Sequence, residues 1–136
     1  FIGDSVMAVF SPFQGAEQEQ DQAMRSAVQM LEGCDQLNQR LHLEGGLKLI
    51  NSIGIHRGAV LAGNIGAPER MEYTFIGDAV NLADKLEART RKLDTRLAVS
   101  EDFYSGLSPD TSSRLVSVPS LDDQLKNLKK VYVLRV

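Results

Sequence analysis

The sequence predicts an α+β fold in which helices cover one face of a mostly antiparallel sheet. Three observations predict it: a long helical stripe begins near Asp21, a second helix follows Gly77, and short apolar segments rich in β-forming residues surround both. The chain has 136 residues, of which 43% are hydrophobic and 24% charged. That is the size of one compact domain with its own core, so we expect a single domain over residues 1–136.

Composition excludes several classes of protein. The formal charge is −3, from 15 Lys and Arg against 18 Asp and Glu, so the chain lacks the excess of positive charge that binding to a nucleic acid requires. Cys34 is the single cysteine, so neither a disulfide framework nor a thiolate metal site is expected. No apolar run is long enough to cross a membrane, and no signal peptide opens the chain. We expect a cytoplasmic domain, or one on the cytoplasmic face of a membrane protein.

The chain opens without a methionine, directly inside an apolar segment. We therefore expect the natural protein to extend upstream of Phe1. Membrane or sensor domains are possible outside residues 1–136.

The stretch from Met71 to Glu87, MEYTFIGDAVNLADKLE, reads as a strand, a sharp turn and an amphipathic helix. The β-forming residues stop at Gly77, where the backbone can bend without a Cβ atom, and Asp78 is placed to cap the helix. Helical spacing gives the helix an inner stripe of Val80, Ala83 and Leu86.

Asn81 and Lys85 lie one helical turn apart, so their side chains project side by side. An amide and a cation held on one rigid turn can contact the same anionic or sugar-like ligand. This pair predicts a phosphate ligand of nucleotide size.

The first ten residues, FIGDSVMAVF, predict a β-hairpin with its turn at Gly3-Asp4. Asp4 has two interpretations. It is either a turn-forming residue or a carboxylate that grips a hard cation such as magnesium beside the phosphates of a nucleotide. One carboxylate is too few for a complete metal site, so the second interpretation requires a partner from elsewhere.

The other elements follow from periodicity and turn residues. Up to Ile65 we expect a polar loop over Ser11–Gln20 and a helix over Asp21–His42. Two strands, Leu47–Gly58 and Ala59–Ile65, are expected to follow and to form an antiparallel hairpin. After the second helix we expect strands over Arg96–Ser100, Arg114–Val118 and Lys129–Val136, the last of which closes the fold. We expect a short helix over Glu101–Leu107, capped by Ser100, and loops over Pro109–Ser113 and Pro119–Leu128.

Two further features each have a structural and a functional interpretation. His56, at a strand end, is either structural or a proton shuttle. The basic run of Lys126, Lys129 and Lys130 is either a solvated edge that discourages aggregation or the source of one lysine that reaches a phosphate.

Three segments together resemble the catalytic domain of class III adenylate and guanylate cyclases: FIGDSVMAVF, then GIHRGAVLAGNIGAPERMEYTFIGDAVNLADKLE, then LAVSEDFY. The resemblance implies a ferredoxin-like fold whose first strand and helices precede Phe1. It also implies the conversion of a nucleoside triphosphate into a cyclic nucleotide and pyrophosphate. In this family two copies pair head to tail and share each active site.

The resemblance assigns a role to each candidate residue. Asp4 would be one of two aspartates that hold two Mg²⁺ or Mn²⁺ ions, the other lying upstream of Phe1. Asn81 would orient the ribose, and Lys85 takes the place of an arginine that stabilises charge on the reacting phosphate. The substrate-binding residues would be Thr74 and Phe75, where the base is recognised, and Lys130 on the triphosphate. A bacterial subgroup of adenylate cyclases that this sequence resembles also has threonine at the position of Thr74.

Two hypotheses follow. The first is a homodimeric adenylate cyclase that uses ATP. The second is a degenerate cyclase-like module that dimerises or binds a nucleotide for regulation, because Lys85 keeps the charge of the usual arginine and loses its planar fork. A guanylate cyclase is a lesser alternative.

Overall fold

The computed structural model of this chain describes residues 3–11, 19–41, 48–119 and 130–134. In these ranges it contains four helices and six strands, which are α1 (Glu19–Leu41), β1 (Ile53–Ile55), β2 (Leu61–Ile65), β3 (Glu72–Ile76), α2 (Asp78–Arg89), β4 (Leu97–Ser100), α3 (Glu101–Tyr104), α4 (Pro109–Ser112), β5 (Leu115–Pro119) and β6 (Lys130–Leu134). None of the helices within these ranges has the length and apolar character that a membrane crossing requires.

Four strands form the main sheet in the order β1-β4-β6-β5. β1 runs parallel to β4, whereas β4 and β5 both run antiparallel to β6. β2 and β3 form a separate antiparallel ribbon with Leu61 opposite Ile76 and Gly63 opposite Thr74. Antiparallel pairing predominates, and the predicted α+β class is confirmed.

The helices cover both faces of the main sheet, which differs from the expectation of one covered face. Leu97 and Val99 of β4 join a core cluster with residues of α1, and Ala98 joins a second cluster with Leu86 of α2. All four residues of β4 are buried. A strand that is apolar on both sides needs a covering layer on each, so α1 and α2 pack on opposite faces.

The predicted hairpin between Leu47–Gly58 and Ala59–Ile65 is wrong. The first of these segments is a strand only at β1, which pairs with β4, and the second pairs with β3. Between them His56 turns toward β4, where its Nδ1 lies 2.8 Å from Ser100 Oγ. The chain therefore leaves the sheet at His56 instead of turning back along β1.

Two smaller expectations also need correction. Pro109–Ser112 is a single helical turn and not a loop, because proline suits the first position of a helix and Asp21 accepts a hydrogen bond from the Ser108 amide at 3.0 Å. In the predicted first hairpin, Gly3 and Asp4 do form a turn and Ser5 a single bridge. Residues 6–10 form no regular strand, and their large apolar side chains, Val6, Met7, Val9 and Phe10, are exposed.

The remaining elements agree with the sequence. The long helix is α1, the capped short helix is α3, and the last two strands are β5 and β6. In α3 the Ser100 hydroxyl accepts a hydrogen bond from the Phe103 amide at 3.2 Å, as its predicted capping role requires. The predicted loop over Pro119–Leu128, together with His42, Lys126 and Lys129, falls almost entirely outside the described residues.

Candidate active site

The junction between β3 and α2 is a glycine turn. Gly77 has φ 155° and ψ 168°, a backbone conformation that favours glycine, and a Cβ atom there would lie 3.1 Å from the Ala59 carbonyl oxygen. Gly77 itself is the N-cap of α2, so the prediction that Asp78 caps the helix is wrong. Asp78 is the first helical residue, where its negative charge is favourable at the helix N-terminus.

Asn81 and Lys85 lie on the outer face of α2. Both side chains are exposed, and neither makes a hydrogen bond or ion pair with another residue in the described ranges. The residues that face the sheet lie on the opposite side of the helix, with Leu86 and Thr90 fully buried. The amide and the ammonium therefore point away from the core of their own chain, as a site completed by another molecule would require.

Thr74 and Phe75 lie on opposite faces of the ribbon formed by β2 and β3, because successive strand residues alternate. Phe75 shares its face with Tyr73, and the two rings meet edge to face with centroids 5.6 Å apart and an interplanar angle of 87°. Both Thr74 and Phe75 are half-buried. A ligand bound on one face of the ribbon can therefore contact only one of these two side chains.

Three exposed apolar side chains lie on the face of the ribbon that carries Thr74, together with the register position of Glu72. Leu61, Ile65 and Ile76 share this face by strand alternation, and their side chains are 77%, 48% and 49% exposed. A two-stranded ribbon has little stability by itself and gains from a surface to pack on. The described residues of this chain leave these three side chains largely uncovered.

Lys130 is the first residue of β6 and lies opposite Pro119 of β5. Its side chain is exposed. Alternation places it on the same side of the sheet as Tyr132, which stacks on Tyr104 of α3 with ring centroids 3.7 Å apart. Val131 packs with Leu86 of α2 on the other side. Within one chain, Lys130 and the pair on α2 thus belong to opposite faces of the main sheet.

Asp4 is exposed in the turn after Gly3, which has φ 59°. A carboxylate oxygen is the ligand type that Mg²⁺ and Mn²⁺ prefer, so its chemistry fits one position of a divalent-ion site. Within the described ranges no group of three or more His, Cys, Asp or Glu side chains could hold a metal ion. Asp4 therefore fits as one ligand, and the described residues do not complete its coordination.

His56 has a structural contact. Its Nδ1 lies 2.8 Å from Ser100 Oγ, the same hydroxyl that caps α3. Burial lowers the pKa of His56, and the nearby Asp102 carboxylate opposes that shift. The ring links the end of β1 to the start of α3, in agreement with the structural interpretation.

The residues that hold α2 on the sheet were not predicted from the sequence. Ser52 Oγ donates a hydrogen bond to Glu87 Oε1, and Gly54 lies directly under the helix backbone. A signal for Gly54 was present, since a glycine inside an apolar strand often marks a close backbone approach. Nothing in the sequence linked Ser52 with Glu87.

The sequence of this chain is similar to that of known proteins. Residues 1–134 match the family described as the Adenylate and Guanylate cyclase catalytic domain. The chain is 32% identical over 112 residues to an adenylate cyclase of Anabaena cylindrica, and 32% identical over 100 residues to adenylate cyclase 1 of Rhizobium meliloti. These matches cover 79% and 74% of this chain but only 21% and 15% of the two relatives, so the chain spans about a fifth of their length or less.

The fold is also similar to that of solved structures. A bacterial light-regulated adenylyl cyclase superimposes with a TM-score of 0.69 at 27% sequence identity, and the match covers 88% of this chain and 34% of that one.

Proposed function

This chain belongs to the family of adenylate and guanylate cyclase catalytic domains, and we propose that it is an adenylate cyclase whose active sites are completed by a second copy of the chain. The observation that carries the proposal is the outward direction of Asn81 and Lys85 on α2. Their position leaves both side chains available to a substrate held against another subunit.

The reaction is an intramolecular phosphoryl transfer. The ribose 3′-hydroxyl of ATP gives up its proton to solvent as its oxygen forms a bond to the α-phosphorus. The bond from that phosphorus to the bridging oxygen breaks, and pyrophosphate leaves as 3′,5′-cyclic AMP forms. Asn81 would orient the ribose through its amide, which can both donate and accept hydrogen bonds. Lys85 would place a positive charge near the phosphate where negative charge develops. Lys130 would bind the triphosphate.

Asp4 would hold divalent ions in this site, with Mg²⁺ or Mn²⁺ as the ions that suit a carboxylate ligand. When bound, such ions neutralise the triphosphate and make the ribose hydroxyl easier to deprotonate. Asp4 lies at a turn, where a side chain can reach a ligand without any disturbance of the core.

The preference for ATP is proposed from Thr74. Its hydroxyl can accept a hydrogen bond from the adenine amino group or donate one to a ring nitrogen. Thr74 is half-buried in the middle of the ribbon, and a second copy packed on this face would shield a polar contact between Thr74 and a base from water. The two curated relatives compared with this chain are both named as adenylate cyclases.

The same ribbon face supports the proposed dimer. Leu61, Ile65 and Ile76 surround Thr74 with exposed apolar surface. Contiguous apolar surface of this kind is typical of sites where another protein packs. A second copy on this face would bury it and would bring the Thr74 face against the surface of the partner.

The test is an assay of the intact protein with ATP and Mn²⁺, followed by a competition between ATP and GTP at equal concentrations. We expect cyclic AMP as the main product. Cyclic GMP as the main product would instead favour a guanylate cyclase, and the assignment of Thr74 to adenine would fall.

A nucleotide-binding regulatory module is the second candidate, and Lys85 is the observation that favours it. An ammonium is a compact point charge and cannot contact a phosphate with the planar two-pronged geometry of a guanidinium. ATP binding by the intact dimer, with no cyclic nucleotide produced under any metal condition, would favour this candidate over the enzyme.

A further inference from the structure

The inner face of α2 meets the main sheet through two unusual contacts with the strand end at β1. Ser52 Oγ donates a hydrogen bond to Glu87 Oε1. Gly54, two residues later, lies so close under the helix that a Cβ atom would stand 2.3 Å from both the Ala83 carbonyl oxygen and the Glu87 nitrogen. Both contacts therefore involve the same two turns of α2.

The two contacts constrain the position of the helix in different ways. Gly54 lets the helix backbone approach β1 closely, but a glycine has no side chain that could interlock with the helix and prevent sliding. Leu86, which is fully buried beside Ala98 and Val131, adds apolar packing that has no preferred direction. The bond between Ser52 and Glu87 is directional, and it ties one helix residue to the residue that immediately precedes β1.

The position of α2 along β1 decides where Asn81 and Lys85 lie. A helix rises 1.5 Å per residue, so a slip by a single residue moves both side chains by about that distance and also rotates them by about 100°. Misplacement of a reacting group by about 1 Å can lower a rate by about a hundredfold. The outer face thus depends on contacts made on the inner face.

We propose that Ser52 and Glu87 are positioning residues, which set the register of α2 on β1 and thereby place Asn81 and Lys85 in the active site. The role in catalysis rests on the proposed cyclase function, whereas the role in placing α2 does not. The contact lies where α2 faces the sheet, away from Asn81 and Lys85, so the role assigned to the two residues is one of positioning and not of contact with the substrate.

The contact is partly shielded from water. Ser52 and Glu87 are both half-buried. At the end of the helix Thr90 is buried and donates a hydrogen bond from Oγ1 to the Glu87 carbonyl oxygen at 2.6 Å. Thr90 therefore holds the backbone of Glu87 in the last turn of α2. The hydrogen bond to Ser52 is thus made by a residue whose own position in the helix is fixed.

The first experiment compares kcat, KM for ATP and melting temperature in the intact protein. Ser52→Ala and Glu87→Ala remove the contact, whereas Ser52→Thr keeps a hydroxyl donor and Glu87→Gln keeps an oxygen acceptor. We expect kcat to fall by about tenfold to a hundredfold in the two alanine variants with little change in KM, and to be largely retained in the two conservative ones.

A matched control separates positioning from stability. Ser105 Oγ donates a hydrogen bond to the Glu101 carbonyl oxygen at 2.8 Å on α3, away from α2. Ser105→Ala also removes one serine hydrogen bond, although an exposed and local one, and we expect its kcat to equal that of the wild type. If Ser52→Ala lowers the melting temperature and leaves kcat unchanged, the positioning role is wrong.

The second experiment measures the position of α2 without any activity. In a Cys34→Ser background, spin labels are attached through Gln29→Cys on α1 and Ala88→Cys on α2, both at exposed positions, and labelled chains are diluted with unlabelled protein. We expect Ser52→Ala to shift or broaden the distance distribution between the labels, and Ser52→Thr to restore it. An unchanged distribution in Ser52→Ala would overturn the proposal.

The two experiments also separate this inference from the proposed function. If the wild-type protein makes no cyclic nucleotide, the cyclase proposal falls, and the distance measurements alone decide whether Ser52 and Glu87 place α2.

Discussion

Gly54 of β1 lies directly beneath Ala83 of α2, so that a Cβ atom on Gly54 would stand 2.3 Å from the Ala83 carbonyl oxygen. The neighbouring residues Ile53 and Ile55 face the other side of the sheet and pack against the core that α1 covers. One three-residue strand thus contacts helices on both of its faces. The absence of a side chain at Gly54 lets α2 lie against the sheet with Asn81 and Lys85 on its outer face.

Gly54→Ala is expected to displace α2 and to destabilise the fold. The added methyl group meets helix backbone, which cannot rotate away as a side chain can, and overpacking of this kind costs about 1–3 kcal/mol. Chemical denaturation measures the change, and the cyclase assay should show a loss of activity in the fraction that remains folded. Gly33→Ala is the control, because nothing lies within 4 Å of a Cβ atom at that helical position.

Gly33→Ala should leave the free energy of unfolding equal to that of the wild type or raise it by about 0.5–1 kcal/mol, since alanine is the better helix former. A Gly54→Ala protein with wild-type stability and activity would mean that α2 does not lie as close to β1 as described.

Lys85→Arg is expected to raise kcat. An arginine restores the planar fork that binds phosphate oxygens in pairs, whereas lysine supplies only a point charge. Lys85→Ala should lower kcat on the order of a hundredfold, as does the loss of one preorganised donor in other active sites. Steady-state kinetics with ATP measure both effects.

The control for this exchange is Lys92→Arg, at an exposed lysine beyond the end of α2, for which we expect no change in kcat. An equal or lower rate in Lys85→Arg, at wild-type melting temperature, would mean that Lys85 does not take the place of an arginine.

The sequence predicted best what depends on neighbouring residues. The strand, glycine and helix from Met71 to Glu87 form as expected, because periodicity and the turn residue act within one short stretch. The exposure of Asn81 and Lys85 follows from the same helical spacing.

Pairing between distant segments could not be predicted in the same way. Ile53 pairs with Leu97 in a parallel arrangement, but the segment around Ile53 carries no local feature that selects this partner over the nearer Leu61. A hairpin was the simplest connection for two consecutive apolar segments. The observed pairing of β1 with β4, and the contact between His56 and Ser100 beside it, join residues far apart in the chain. The helix layer on each face follows from that pairing, so it was missed too.

The pH dependence of stability should report on His56. Burial holds the pKa of His56 below the ordinary value for a histidine, about 6.5, although the Asp102 carboxylate acts in the opposite direction. The unfolded chain therefore binds a proton at His56 more readily than the folded chain does, so the contribution of His56 lowers stability as the pH falls below that value. His56→Asn keeps a polar atom near Ser100 and does not titrate.

Melting temperatures of the wild type and His56→Asn are compared from pH 8 to pH 5. We expect the wild type to lose more stability than the variant over the acidic part of this range. Parallel curves for the wild type and His56→Asn would contradict the lowered pKa.

Subunits with complementary defects should restore activity if each site is shared between two chains. Asp4→Ala and Asn81→Ala are each expected to be inactive alone, with melting temperatures near that of the wild type because both side chains are exposed. In an equal mixture that exchanges subunits, half of the dimers combine the two variants, and each of these has one intact site and one site with both defects. The mixture should then reach about a quarter of the wild-type rate. If Asp4 and Asn81 of the same chain served one site, every site in the mixture would carry a defect, and the mixture would stay inactive although subunit exchange was complete.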